Sequence, residues 1–222
     1  PLATQHTSSI GVKRIVVLIS GSGSNMQALI DAIELGAING QIVAVISNKP
    51  DVQGLARAAH ANIHSIVIDH RQFDGREPFE AELSKTIDEL QPDLIVLAGF
   101  MRILNSEFVQ PYEGKMLNIH PSLLPKYKGL HTHRRALENG DKEHGVSVHF
   151  VTAELDGGPV IAQRTVKVED SDTEQSLQQK VQRQEHQLYP EVVARFCNER
   201  LSYQNGKAYL DGQPIQQPSL LA

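Results

Sequence analysis

Arg14-Ile15-Val16-Val17-Leu18-Ile19-Ser20-Gly21-Ser22-Gly23-Ser24-Asn25 decides the fold. Its first half is an unbroken apolar, β-branched run, the mark of a strand buried on both faces. The glycine–serine stretch reads as a loop. Met26, Leu29, Ile30 and Ile33 then recur at helical spacing until Gly36 supplies a stop. Strand, glycine loop and helix together make the opening unit of a parallel α/β sheet.

The same rhythm continues outward. Residues 41–47, 64–68, 93–98 and 116–120 read as strands. Between them fall a short helix near 54–60, a longer one over 77–90 marked by Phe79, Leu83, Ile87 and Leu90, and a short one near 106–112. Pro78 suits the first turn of the longer helix. The alternation implies an α/β fold with a doubly wound, mostly parallel central sheet and helices on both faces, in one domain. After His120 the pattern changes. Residues 121–133 read as a loop with two prolines and Gly129, and 144–151 and 160–168 as strands joined through Asp156-Gly157-Gly158-Pro159. Residues 173–196 read as a long C-terminal helix with Leu177, Val181, Leu188 and Val192 inward, and 201–210 as a hairpin turning at Asn205-Gly206. Residues 1–12 are polar and patternless, which suggests a flexible tail ahead of a domain over 13–222.

Of the 222 residues 40% are apolar, and the net charge is −5, so no overall basic field recruits nucleic acid. The single cysteine, Cys197, forms no internal disulfide, which fits a reducing, cytoplasmic setting. No apolar run is long enough to span a bilayer, so no membrane partner is expected.

Candidate chemistry gathers at strand ends. In Met116-Leu117-Asn118-Ile119-His120-Pro121 the period of two puts Asn118 and His120 on one face, and Pro121 and Pro125 stop the strand. Ligands of open α/β sheets bind off such carboxyl ends. If the Asp156 turn folds back, its carboxylate reaches His120 and fixes its tautomer, with His149 a second neighbour. The amides of Gly23, Ser24 and Asn25 would face an anion at a helix N-terminus, or Ser24 simply caps that helix. The loop lacks the lysine of a Walker motif and the third glycine of a dinucleotide fingerprint. Met101, Ile103 and Leu104, near the end of the fourth strand, are either core or one wall of a slot for a flat ring. His120, His131, His133 and Asp156 lack metal-site spacing, so no metal is expected. His133-Arg134-Arg135 reads as a solvated face.

Asn118-Ile119-His120-Pro121-Ser122-Leu123-Leu124-Pro125 followed by Asp156-Gly157-Gly158-Pro159 resembles the formyltransferases that use 10-formyltetrahydrofolate. The likeness runs from Ile15 to about Gly212. The glycine loop and Lys126-Tyr127-Lys128-Gly129-Leu130-His131-Thr132-His133 are similar to the branch of purine synthesis whose acceptor is glycinamide ribonucleotide. The resemblance implies that Asn118, His120 and Asp156 are catalytic, with Asn118 and protonated His120 facing the oxyanion. It implies that Gly23, Ser24 and Asn25 hold the phosphate and Glu185 the ribose. It gives Arg76, Met101, Arg102, Ile103, Leu104 and Asn118 to the formyl-folate, which is a co-substrate, with no metal. The expected partners are these small molecules, in a monomer or weak homodimer. The rival readings are another amine acceptor, hydrolysis of the formyl-folate, or a non-catalytic nucleotide-binding module.

Overall fold

A computed structural model of the chain describes residues 10–218. Most of the tail expected over 1–12 lies outside these residues. Seven strands form one sheet: β1 (Lys13–Ile19), β2 (Gly40–Ser47), β3 (Ser65–Val67), β4 (Leu94–Leu97), β5 (Met116–His120), β6 (Glu143–Phe150) and β7 (Val160–Lys167). Their order is β3-β2-β1-β4-β5-β6-β7. β1 to β5 run parallel, and β6 and β7 are antiparallel additions. The mostly parallel sheet expected from the alternation is therefore present, with its order reversing between β1 and β4. Such a reversal opens a crevice at the carboxyl ends of the two strands.

Period two sorts the strand residues onto two faces. Ile15, Val17 and Ile19 pack with Met26, Leu29 and Ile30 of α1 (Ser24–Glu34), Ala58 of α2 (Gln53–His60) and Val181, Leu188 and Val192 of α6 (Glu174–Cys197). Val16 and Leu18 pack on the other face, with Phe79, Leu83 and Ile87 of α3 (Arg76–Leu90) and Phe108 and Val109 of α4 (Ser106–Val109). The spacing of Phe79, Leu83 and Ile87 puts them on one side of α3, and each fully buried side chain there stabilises the fold by roughly 1.5–3 kcal/mol. Truncating Leu83 to alanine would cost about 2–5 kcal/mol.

α6 is held at its start by a capping box, in which Thr173 Oγ1 accepts from the Ser176 N–H at 3.1 Å. Further along, the fully buried Tyr189 shares its single hydroxyl proton between the carbonyls of Leu97 (2.8 Å) and Leu117 (3.1 Å), tying the helix to β4 and β5. Burial pushes the Tyr189 hydroxyl pKa far above its ordinary value. β8 (Leu201–Gln204) and β9 (Lys207–Leu210) form the expected hairpin, to which the sequence reading did not add β10 (Gln213–Pro214).

The second difference is α5 (Thr132–Glu138), whose first two residues fall in the stretch read as a loop and whose remainder the sequence reading left unassigned. Only Thr132 and Ala136 are buried in it, so it carries too few apolar residues to show helical periodicity. The basic run 133–135 is likewise not a plain solvated face. His133 lies next to His144, Arg134 faces Glu174 at 3.7 Å, and the Arg135 guanidinium lies 5.0 Å from the centre of the Tyr127 ring.

Candidate active site

β5 brings Asn118 and His120 to the face that Met116 shares with α3 and α4, one pleat apart and flush with the sheet's carboxyl edge. Their cross-strand neighbours are His149 and Ser147 of β6. His149 Nδ1 lies 2.9 Å from the Phe150 carbonyl, which can only accept, so Nδ1 carries the proton. Its Nε2 lone pair then faces Asn118 Nδ2 at 3.4 Å. This fixes the Asn118 amide with nitrogen toward His149 and leaves its second N–H for a ligand. Burial lowers the His149 pKa, in keeping with that neutral acceptor role. His149 lies close enough to Asp156 and His120 to feel both charges, as the sequence reading expected, and its Nε2 also meets Asn118.

His120 is 6% exposed. Its Nε2 lies 2.8 Å from the Tyr127 carbonyl and therefore donates to it. Its Nδ1 lies 3.6 Å from Asp156 Oδ2. The same Asp156 oxygen accepts the Gly129 N–H at 2.8 Å. The turn between β6 and β7 thus folds back onto the end of β5. Asp156 adopts φ 50, and Gly158 leaves no room for a side chain, since a Cβ there would lie 1.8 Å from the Phe150 carbonyl oxygen. The paired glycines let the chain lie against β6 and deliver the carboxylate to the imidazole.

Hydrogen bonds hold the start of the loop over 121–131. Ser122 Oγ donates to Lys126 O (2.6 Å), Ser147 Oγ to Ser122 O (2.7 Å) and Thr132 Oγ1 to Pro121 O (2.6 Å). Below them His133 Nδ1 and His144 Nε2 share one proton across 3.0 Å. Burial, then the neighbouring His133, pushes His144 down to about 4, and burial lowers His133 as well.

At the carboxyl end of β1, Gly23 adopts φ 71 and stands at the N-cap of α1, so Ser24 opens the helix rather than capping it. Gly23 must be glycine for a second reason: a Cβ would sit 2.8 Å from Gly54 Cα, at the packed start of α2. Glu185 of α6 crosses to this loop and accepts from Asn25 Nδ2 at 3.0 Å. Burial raises the Glu185 pKa, with the Asn25 hydrogen bond opposing it. Asn25 Oδ1 is buried and has no hydrogen-bond partner among the described residues. His186 Nε2 lies 3.1 Å from Ser24 Oγ.

Past β4, residues 101–104 lack regular secondary structure. Met101 and Ile103 are 63% and 58% exposed, whereas Leu104 packs against the α3 side of the core. Arg102 lies over the Phe79 ring at 5.7 Å, and Arg76, the first residue of α3, donates to Asn105 Oδ1 at 3.1 Å. Arg76 thus reaches the residue that follows the 101–104 segment. Sequence reasoning did not single out Tyr127 or Gly129, which act through backbone atoms, nor the His133–His144 pair. No group of histidine, cysteine and acidic residues among the described residues is arranged to hold a metal ion. No helix among them is long and apolar enough to cross a membrane.

An amide, an imidazole and a carboxylate at the carboxyl edge of an open sheet, beside a glycine loop that opens a helix, are groups that a group-transfer enzyme uses. Residues 13–193 match the formyl transferase family, and the chain belongs to that family. It is 57% identical over 201 residues to the phosphoribosylglycinamide formyltransferase of Escherichia coli K12, covering 90% of this chain and 95% of that one. The solved phosphoribosylglycinamide formyltransferase of Coxiella burnetii superposes with a TM-score of 0.89 at 52% identity, covering 93% and 97% of the two chains. Glycinamide ribonucleotide transformylase 1 of Symbiobacterium toebii gives 0.86 at 40% identity, over 90% and 94%.

Proposed function

We propose that this chain transfers the formyl group of 10-formyltetrahydrofolate to the amine of 5′-phosphoribosylglycinamide, giving formylglycinamide ribonucleotide and tetrahydrofolate, a step of purine biosynthesis. Residues 13–222 form the active unit in this reading. It works in the cytoplasm, as a monomer or weak homodimer. The observation that carries the chemistry is the approach of Asp156 Oδ2 to His120 Nδ1, 3.6 Å, next to an Asn118 amide with one free N–H.

The amine lone pair attacks the formyl carbon, and the carbonyl electrons move to oxygen. The Asn118 N–H and the His120 Nε2–H stabilise that oxygen, each contributing roughly 3–4 kcal/mol to the transition state. The Nε2–H rests on the Tyr127 carbonyl in the free enzyme, and the formyl oxygen takes that carbonyl's place. Asp156 holds the ring from its Nδ1 side and leaves the Nε2–H for the oxyanion. The intermediate collapses with cleavage of the bond between carbon and N10, while the proton lost by the amine goes to N10. No side chain becomes acylated.

The other contacts follow from what each region lacks. The unpartnered Asn25 Oδ1 and the Glu185 carboxylate are acceptors awaiting donors, and a ribose diol brings two. The amides of Gly23, Ser24 and Asn25 receive the phosphate. Met101, Arg102, Ile103 and Leu104, with Arg76, receive the folate.

Folate absorbance tests this reading. Conversion of 10-formyltetrahydrofolate that requires glycinamide ribonucleotide is the expected result. Conversion without it would mark a hydrolase, and none with it would end the proposal.

A further inference from the structure

Residues 101–104 pose a mechanical problem. They carry exposed apolar side chains, and no backbone–backbone hydrogen bond among the described residues holds them. Two buried side chains do so from the ends. At the first, the Met101 N–H donates to Ser20 Oγ at 2.7 Å, and Ser20 Oγ donates to Asn48 Oδ1 at 2.5 Å. Ser20 is 4% exposed and Asn48 1%. The hydroxyl's single proton is committed to Asn48, so it meets Met101 only as an acceptor. Asn48 is itself steadied by His70, whose Nδ1 lies 3.2 Å from the Asn48 side-chain nitrogen and from its carbonyl. At the far end, the Asn105 N–H donates to Glu80 Oε1 at 2.9 Å, and Glu80 is 7% exposed.

Ser20 directly follows β1 and precedes the glycine loop, while Met101 lies past β4. β1 and β4 are the neighbours at which the strand order reverses. One hydroxyl therefore joins the loops on the two sides of the ligand crevice. We propose that Ser20 and Glu80 are positioning residues for the formyl-folate. They are pegs that hold 101–104 in the shape that receives the pterin ring, without touching it. This rests on the reading of 101–104 as the folate-binding strip.

Steady-state kinetics on Ser20→Ala, Ser20→Thr, Glu80→Met and Glu80→Gln test it, with Ile103→Ser testing the strip itself. Losing either peg leaves a half-buried N–H without its acceptor, so Ser20→Ala and Glu80→Met each raise KM for 10-formyltetrahydrofolate about fivefold to tenfold. KM for glycinamide ribonucleotide and kcat stay within about twofold, because uniform binding of one substrate is what is lost. The threonine and glutamine variants keep an acceptor and restore the folate KM. Amide hydrogen exchange at Met101 accelerates in Ser20→Ala, while the amides within β1 stay protected. If Ile103→Ser raises the folate KM but Ser20→Ala and Glu80→Met do not, the pegs are refuted and the strip stands. If none of the three raises it, both readings fall. A loss of kcat with unchanged folate KM also refutes the pegs. Should Ser20→Ala not fold, the Glu80 pair decides alone.

Discussion

The loop leaving β1 and the turn region around the end of β5 lie on the same edge of the sheet, yet they offer a ligand different things. The β1 loop offers backbone. Its functional atoms are amides, its shape depends on the φ of Gly23, and its nearest side-chain supports come from α2 and α6. The β5 end offers side chains, one half-buried and one buried, each held by a group from another part of the chain: Asn118 by His149, His120 by Tyr127 and Asp156. In the proposed function the difference follows from the two tasks. A phosphate keeps its charge throughout the reaction, so a fixed ring of amides serves it. An oxyanion develops only on the way to the tetrahedral intermediate, so its donors must be preorganised with their alternatives already satisfied.

That contrast sets different failures for the two regions. The largest effect is expected at β5: His120→Ala lowers kcat by about a thousandfold with little change in either KM, the upper range for losing one oxyanion donor. A loss confined to KM would show that His120 binds rather than stabilises the transition state. At the β1 loop the order is reversed. Gly23→Ala forces a Cβ against α2 in a left-handed backbone and raises KM for glycinamide ribonucleotide roughly tenfold or more while kcat changes little. A fall in kcat at unchanged KM would break the division of labour.

The smallest effect is on stability with pH. The His144 pKa is held near 4, below its ordinary 6.5, so between these values the unfolded chain binds the extra proton. Stability is therefore full above about 6.5 and falls as pH drops toward 4. His133 acts in the same direction. His144→Gln should flatten the dependence of Tm on pH over that window. An unchanged slope would place the sensitivity elsewhere.

Local pattern showed much of this in advance. The apolar run ending at Pro121 gave β5 its observed bounds, and period two put Asn118 and His120 on a common face. Leu177, Val181, Leu188 and Val192 faced inward because a 24-residue helix repeats its pattern often enough to be read. What stayed hidden depended on distant or backbone atoms. Nothing in the residue type of Tyr127 shows that its carbonyl will meet His120. His133 and His144 are brought together by folding alone, and α5 is too short and polar to announce itself. Gly23 rather than Ser24 became the N-cap because the turn required a left-handed φ and the space beside Gly54 admitted no side chain. The approach of Asp156 to His120 followed from family resemblance and a turn able to fold back, not from spacing.

The central claim is that His120 and Asp156 work as one unit on the oxyanion. A double-mutant cycle on kcat with His120→Ala, Asp156→Asn and the pair together tests it most directly. Strong non-additivity is expected, with the double variant no slower than His120→Ala by more than about threefold, because Asp156 has nothing to orient once the ring is gone. Losses that multiply, so that the double variant falls by the product of the two single effects, would contradict it.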